Sequence, residues 1–330
     1  MEPDAADVLL YEVGPRDGLQ NEPETVSTGA KRELIVRLAS AGLRRIEITS
    51  FVSPTWIPQL ADAAELAATV PVVPGVVYSA LVPNERGYDR FREAGGAQVA
   101  AVFISASESH NRKNLNCSVA EQLERIRSVA RSAADDGVPL RAYVSTVCGC
   151  PYEGDVAIAA VVALTRALFD RGAAEVSLGD TVGVGHPSQV RALVSAVAGE
   201  APLERVALHF HDTYGRAVAN VMAGYEVGIR TFDASLGGLG GCPYAPGASG
   251  NVATEDLVAL FESEGVATGV DIERLADAAA WIERDVLMRP LSGRAFRGIA
   301  GRRAREAAGE RADPAGPAVR GPVAGGRGTC

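Results

Sequence analysis

Eight times along this chain a short run rich in Val, Ile, Leu and Phe gives way to a stretch of helical character, and no other feature narrows the fold as far. The runs are "VLLYEVG" from Val8, "RRIEITS" from Arg44, "VVPGVVYSAL" from Val72, "QVAAVFIS" from Gln98, "LRAYVST" from Leu140, "EVSLGDT" from Glu175, "RVALHFHDT" from Arg205 and "TFDASLGG" from Thr231. Between them lie Thr28 to Ala41, Ile57 to Thr69, Asn84 to Ala94, Ser118 to Asp136, Asp155 to Arg171, Pro187 to Ala198 and Arg216 to Val227, each readable as a helix. Start signals recur, such as Ser118 with Glu121 three residues on, and Thr254 opens a further helix after the eighth run. A doubly wound open sheet also alternates in this way. The count of eight favours a closed barrel, as do polar residues at the C-terminal end of run after run, where a barrel gathers them into one ring. The expected fold is α/β: a (β/α)8 TIM barrel with a short C-terminal helical extension, forming one catalytic domain over 1–288. The Arg, Gly, Pro and Ala of 289–330, with no aromatic from Arg297 on, predict a disordered tail.

Within that frame "LHFHDTYG", Leu208 to Gly215, holds two of the chain's four histidines. The two-residue period of a strand turns Val206, Leu208 and Phe210 toward the helices and Ala207, His209 and His211 toward the barrel interior. A hydrogen-bonded polar core is the plain reading of such a pair. Against it, "GPRDGLQNE" ends the first run with Asp17 and Arg16 at the same rim. The loop "GGLGGCPYAPGASGN" after the eighth run brings a thiol and an amide there. One carboxylate oxygen, two imidazole nitrogens and the side-chain oxygen of Asn251 would make a mixed N/O site with open positions, unlike the thiolate cage of structural zinc. Such a set suits a six-coordinate divalent cation, Mg2+ or Mn2+.

Other classes recede on charge and composition. A net charge of −9 and a pI near 5.1 argue against a nucleic-acid surface over most of the molecule, although nine Arg against three acids from Arg289 onward make the end locally basic. The Arg-rich end reads as a solvated extension. No apolar run nears the ~20 residues of a membrane span. The opening "MEPDAADVLLYE" lacks the layout of a secretory signal or a transit peptide, so a cytoplasmic protein is expected. Five cysteines predict reduced thiols, with Cys148 and Cys150 as plain packing.

The motifs "GPRDGLQNE", "IEITSFVSP", "GCPYEG", "SLGDTVGVG", "HFHDTYGRAVAN" and "GLGGCPYAPGASGNVATEDLV" resemble those of the 3-hydroxy-3-methylglutaryl-CoA lyase family, within a wider group of metal-dependent lyases and Claisen-type synthases on TIM barrels. The likeness runs from about Tyr11 to Trp281, and the loop around Cys242 is similar to the lyase branch. The resemblance implies a metal-dependent carbon–carbon lyase that splits 3-hydroxy-3-methylglutaryl-CoA into acetoacetate and acetyl-CoA. It also implies an acyl-CoA substrate, the settings of leucine degradation and ketone body formation, and a homodimer. Carried onto this chain, it makes Asp17, His209, His211 and Asn251 ligands of a divalent metal cation, Mg2+ or Mn2+. It sets Arg16 beside the substrate carbonyl, Cys242 in a loop needed for turnover, and Glu47 and Asp180 in the catalytic surroundings.

Asp180 and Glu47 both stand as candidate bases and Cys242 as the candidate acid. Each has a plainer alternative: Arg16 as a structural partner of Glu47, Asp180 as a cap for the following segment, Cys242 as a bystander and Asn251 as a turn former. His110 and His186 read as loop residues without assigned work. Two departures from the family stand out. Phe210 replaces a frequent Cys but points outward, and Pro23 stands where some relatives carry Lys. A related lyase or synthase acting on another 3-hydroxy acyl-CoA or a 2-oxo acid is the alternative activity.

Overall fold

The strands of the computed structural model, which describes residues 6–240 and 250–308, close into one parallel barrel in sequence order, with the first hydrogen-bonded to the last. They are β1 (Leu9–Glu12), β2 (Arg45–Ser50), β3 (Val77–Leu81), β4 (Val99–Ser105), β5 (Leu140–Ser145), β6 (Glu175–Asp180), β7 (Val206–Phe210) and β8 (Thr231–Ala234). The helices are α1 (Thr28–Ser40), α2 (Ala63–Thr69), α3 (Glu85–Ala94), α4 (Glu108–Leu115), α5 (Val119–Asp135), α6 (Ile158–Phe169), α7 (Pro187–Ala198), α8 (Ala217–Glu226), α9 (Thr254–Ser263), α10 (Ile272–Trp281) and α11 (Arg294–Ala307). The fold expected from the sequence is the one observed.

Strand alternation separates two environments. Val176, Leu178, Val206, Leu208, Phe210 and Phe232 join the main core shared with the helices, while Ser177, Ala207, His209 and Asp233, one residue out of phase, are left for the barrel interior. Phe210 is thus buried in the outer layer, as its phase predicts. Helix starts follow their caps: the Ser118 hydroxyl accepts from Glu121 N and the Glu121 carboxylate from Ser118 N, a complete capping box on α5.

Three departures have physical causes. Helix α4 lies in a stretch with too few apolar residues to show a period. It is set instead by its ends, Ser107 capping the start and Asn116 closing it in the left-handed region at φ 50°. The third strand begins at Val77 because Gly75, at φ 79°, turns the chain after Pro74. The tail expected to be disordered from 289 is corrected over its first part. Arg294–Ala307 is α11, held by buried Phe296, by ion pairs of Arg297 with Glu283 and of Arg303 with Glu273 and Asp277, and by the Asp256 carboxylate accepting from Ala295 N at 2.6 Å. Apolar content alone underrates a helix secured by charge and capping. Residues 309–330 lie outside the described residues.

Before α11 the chain crosses the barrel mouth. Ser292 N and Gly293 N both donate to Gly237 O, at 3.1 and 2.9 Å, so residues 291–293 lie across the segment following β8. At Gly237, φ 61°, a Cβ would stand 2.4 Å from Leu291 Cδ1, so only glycine fits there. No helix among the described residues is long and apolar enough to cross a membrane.

Candidate active site

Three side chains from two elements converge at the C-terminal mouth of the barrel. Asp17 sits on a π-helical turn, Gly14–Gly18, entered through Pro15 directly after β1. His209 lies on β7 facing inward, and His211 follows just past the strand end. Ligand atoms of Asp17, His209 and His211 all lie within 4.8 Å of one another. A backbone bridge between His211 and Asn251 brings the segment beyond the β8 loop to the same point. Asn251 Nδ2 donates to Asp17 Oδ2 at 2.9 Å and to Leu239 O at 3.1 Å. The amide is thereby oriented, and its Oδ1 is left buried with no hydrogen-bond partner.

A buried acceptor left unmet costs roughly 1–3 kcal/mol, which a bound cation would offset. The electrostatics agree. Burial raises the Asp17 carboxyl, but the guanidinium of Arg16 and the two histidines outweigh it and bring it down to about 2. Burial, reinforced by neighbouring His209, lowers His211 to about 4, so its imidazole is neutral at neutral pH. An ionised carboxylate, neutral imidazole and an oriented amide oxygen are the protonation states a metal site needs. The residues present therefore fit a hard divalent cation.

Beside this cluster Arg16 spans two carboxylates. Its Nη1 lies 2.6 Å from Asp17 Oδ1, its Nη2 2.6 Å from Glu47 Oε2, and its Nε donates to the same Glu47 oxygen at 2.8 Å. Tyr143 OH, from β5, donates to Glu47 Oε2 at 3.0 Å. Glu47 is fully buried, and desolvation keeps its carboxyl above the ordinary range despite Arg16; its Oε1 has no partner. Arg16, Asp17 and Tyr143 line a cavity of about 300 Å3 whose apolar wall includes Leu81 and Phe103 and whose far side is α4, through His110 and Asn114; Glu47 lies behind Arg16, off the cavity surface.

The other expected residues separate. Asp180 ends β6, but its Oδ1 accepts from Gly183 N and Val184 N at 3.1 and 3.2 Å, and its Oδ2 from Gly185 N at 2.8 Å. It builds the turn beside His211, whose N donates to Asp180 O at 3.3 Å, and it does not line the cavity. Cys242 lies outside the described residues. Cys148 and Cys150 are buried free thiols outside the metal-capable cluster. His186 caps α7 by accepting from Gln189 N at 3.3 Å. His110, read from the sequence as a loop residue, is instead a buried helical residue on the cavity wall, lowered to about 4 by burial.

Residues that no motif flagged complete the surroundings. Glu12 accepts from Gly14 N and Leu236 N through Oε1, at 2.7 and 2.9 Å, and from Thr254 Oγ1 through Oε2 at 2.6 Å. It ties the Asp17 turn to the segments flanking the β8 loop. Glu255 accepts from Gly237 N with both oxygens, at 3.1 and 2.8 Å. Arg141, Asp233 and Tyr143 fill the interior beneath. Only their inward phase on β5 and β8 distinguished them in the sequence, and phase alone does not separate a filler from a working group.

A family model described as HMGL-like matches residues 7–282. Hydroxymethylglutaryl-CoA lyase YngG of Bacillus subtilis is 50% identical over 287 residues, 87% of this chain and 95% of that protein. The crystal structure of the Bacillus subtilis HMG-CoA lyase superposes with a TM-score of 0.87 at 49% identity, covering 90% of this chain and 99% of the other. An HMG-CoA lyase from Acinetobacter baumannii, solved with coenzyme A and 3-methylmalate, superposes with a TM-score of 0.84 at 38% identity, covering 88% and 94%.

Proposed function

The chain belongs to the HMGL-like family, and from that premise we propose that it cleaves 3-hydroxy-3-methylglutaryl-CoA to acetoacetate and acetyl-CoA. The observation that carries the reading is the convergence of Asp17, His209, His211 and the unpartnered Asn251 Oδ1 beside the Arg16–Glu47 pair. A Mg2+ or Mn2+ ion held by those four residues would supply Lewis-acid polarisation of the substrate's hydroxyl and carboxylate oxygens.

The chain's own groups account for the remaining demands. Glu47 is the base that takes the tertiary hydroxyl proton: its Oε1 is unpartnered and burial raises its proton affinity. As the alcohol becomes a ketone, the C2–C3 bond breaks and its electron pair passes to the thioester, forming an enolate. Arg16, cationic throughout and pre-oriented by two carboxylates, faces the oxygen where that charge develops. Cys242 returns a proton to the enolate carbon, a thiol being mostly protonated at neutral pH. Asp180 serves as a positioning residue, holding the turn against His211.

Purified protein with Mn2+ or Mg2+ and a thiol reductant should release acetoacetate and acetyl-CoA in equal amounts from the thioester. No acetoacetate, or consumption of acetyl-CoA with a 2-oxo acid instead, would overturn the reading in favour of a synthase.

A further inference from the structure

The barrel interior beneath the site holds a charged side chain where an apolar one would serve stability better. Arg141, on β5, is 2% exposed. Its Nη2 donates to Asp233 Oδ1 at 2.6 Å, its Nε to Glu175 and its Nη1 to the Tyr143 hydroxyl. Its Cζ stacks 3.8 Å from the ring centre of Tyr11 and 4.7 Å from that of Tyr143. These partners come from β1, β5, β6 and β8, so the guanidinium bridges opposite walls of the barrel. Desolvating such a cluster is costly, and well-packed apolar residues of similar volume are often as stable or more so. Stability therefore does not call for it.

Two paths lead upward from Arg141. Asp233 Oδ2 accepts from Ser177 Oγ at 2.8 Å and lies 3.4 Å from His209 Nδ1. Tyr143 OH donates to Glu47 Oε2, the oxygen shared with Arg16. A guanidinium only donates hydrogen bonds. The Tyr143 oxygen must accept from it, which turns the phenolic hydrogen toward Glu47. Asp233, held ionised by Arg141, accepts on both oxygens from Arg141 and Ser177; His209 Nδ1 is otherwise without a hydrogen-bond partner, and the carboxylate 3.4 Å away favours its proton there, leaving Nε2 with its lone pair for a ligand.

We propose that Arg141 is a positioning residue that sets the direction of the site's hydrogen bonds, through Asp233 for His209 and through Tyr143 for Glu47. Its effect on turnover rests on the function proposed above; its effect on cation binding does not. Arg141→Lys keeps the charge but loses the planar fork, so one ammonium cannot serve Asp233, Glu175 and Tyr143 together.

Mn2+ titration by electron paramagnetic resonance, without substrate, should show the dissociation constant of Arg141→Lys raised about tenfold or more. Its kcat on the thioester should fall about tenfold or more with KM little changed. A variant that only melts earlier, with Mn2+ affinity and kcat per folded molecule within about twofold of the parent, would overturn the proposal. Should Arg141→Lys fail to fold, Asp233→Asn tests the histidine path alone. Weakened Mn2+ binding there supports the assignment, and unchanged binding overturns it. Normal Mn2+ binding behaviour in the parent without cleavage of the thioester would sink the proposed function and leave this test intact.

Discussion

Glu12 has both carboxyl oxygens engaged by two backbone N–H groups and one hydroxyl, donors that favour the carboxylate but are outweighed by complete burial. Once Glu12 is protonated, Oε1 keeps the two N–H donors and the Thr254 hydroxyl turns to accept from Oε2 in place of donating to it. Burial raises Glu12 from 4.5 to about 7 and Glu255 to about 8. Because the folded-state values lie above the unfolded ones, the stability these groups contribute is complete below about pH 4.5 and is lost as pH rises through 7 to 8. Glu12→Gln reproduces the neutral arrangement. Urea unfolding at pH 5.5 and 8 should find the variant's stability less pH-dependent than the parent's, by about 2 kcal/mol. A parent whose stability rises over that interval would contradict the assignment. At Arg16, substitution by Gln should lower kcat by about 10²–10³ without unfolding the protein, read by steady-state kinetics alongside circular dichroism. At this scale the sequence was legible where residue type and motif coincide, as in Asp17, His209 and His211. It was mute for Glu12, Arg141 and Asp233, whose roles exist only once distant strands meet. Asp180 shows the converse: its place at a strand end was readable, but the three backbone donors that occupy it were not.

The βα units themselves were readable because their signals are local. A period of two, a cap and a glycine turn act within a few residues, and α1, α5, α7 and α8 begin and end close to where those signals stand. Helix α4 escaped because its order comes from end caps and from packing on α5 and β4. The capping box of α5 offers a test confined to one element. Ser118→Ala should cost about 1 kcal/mol, a fall of roughly 2 °C in Tm, with kcat unchanged because α5 lies outside the cavity. The candidate metal cluster is the opposite case, assembled from the β1 turn, β7 and the segment after the β8 loop. His209→Ala and Asp17→Ala should each lose Mn2+ affinity and turnover together, whereas Cys242→Ser should keep the ion and lose turnover. Elemental analysis paired with initial rates separates these outcomes.

For the molecule as a whole, the order of the barrel could be read from the spacing of its eight runs, and the C-terminal end could not. Composition recorded the Arg-rich sequence of α11 but not the acids on other helices that receive it. Chelation should abolish activity and lower Tm, because an ion that binds only the folded state stabilises it by about 2.7 kcal/mol at a hundredfold excess over its dissociation constant. Readdition of Mn2+ should restore both in a thermal scan and a rate assay; full activity after exhaustive chelation would refute a metal centre. The pairing of β1 with β8 also bears on how the protein is made, since Leu9 meets Thr231 only after more than two hundred intervening residues have been synthesised. Until then the nascent chain carries an open sheet edge, and the last closure is a pairing of high sequence separation, the kind that forms late and leaves an edge exposed to other chains in the meantime.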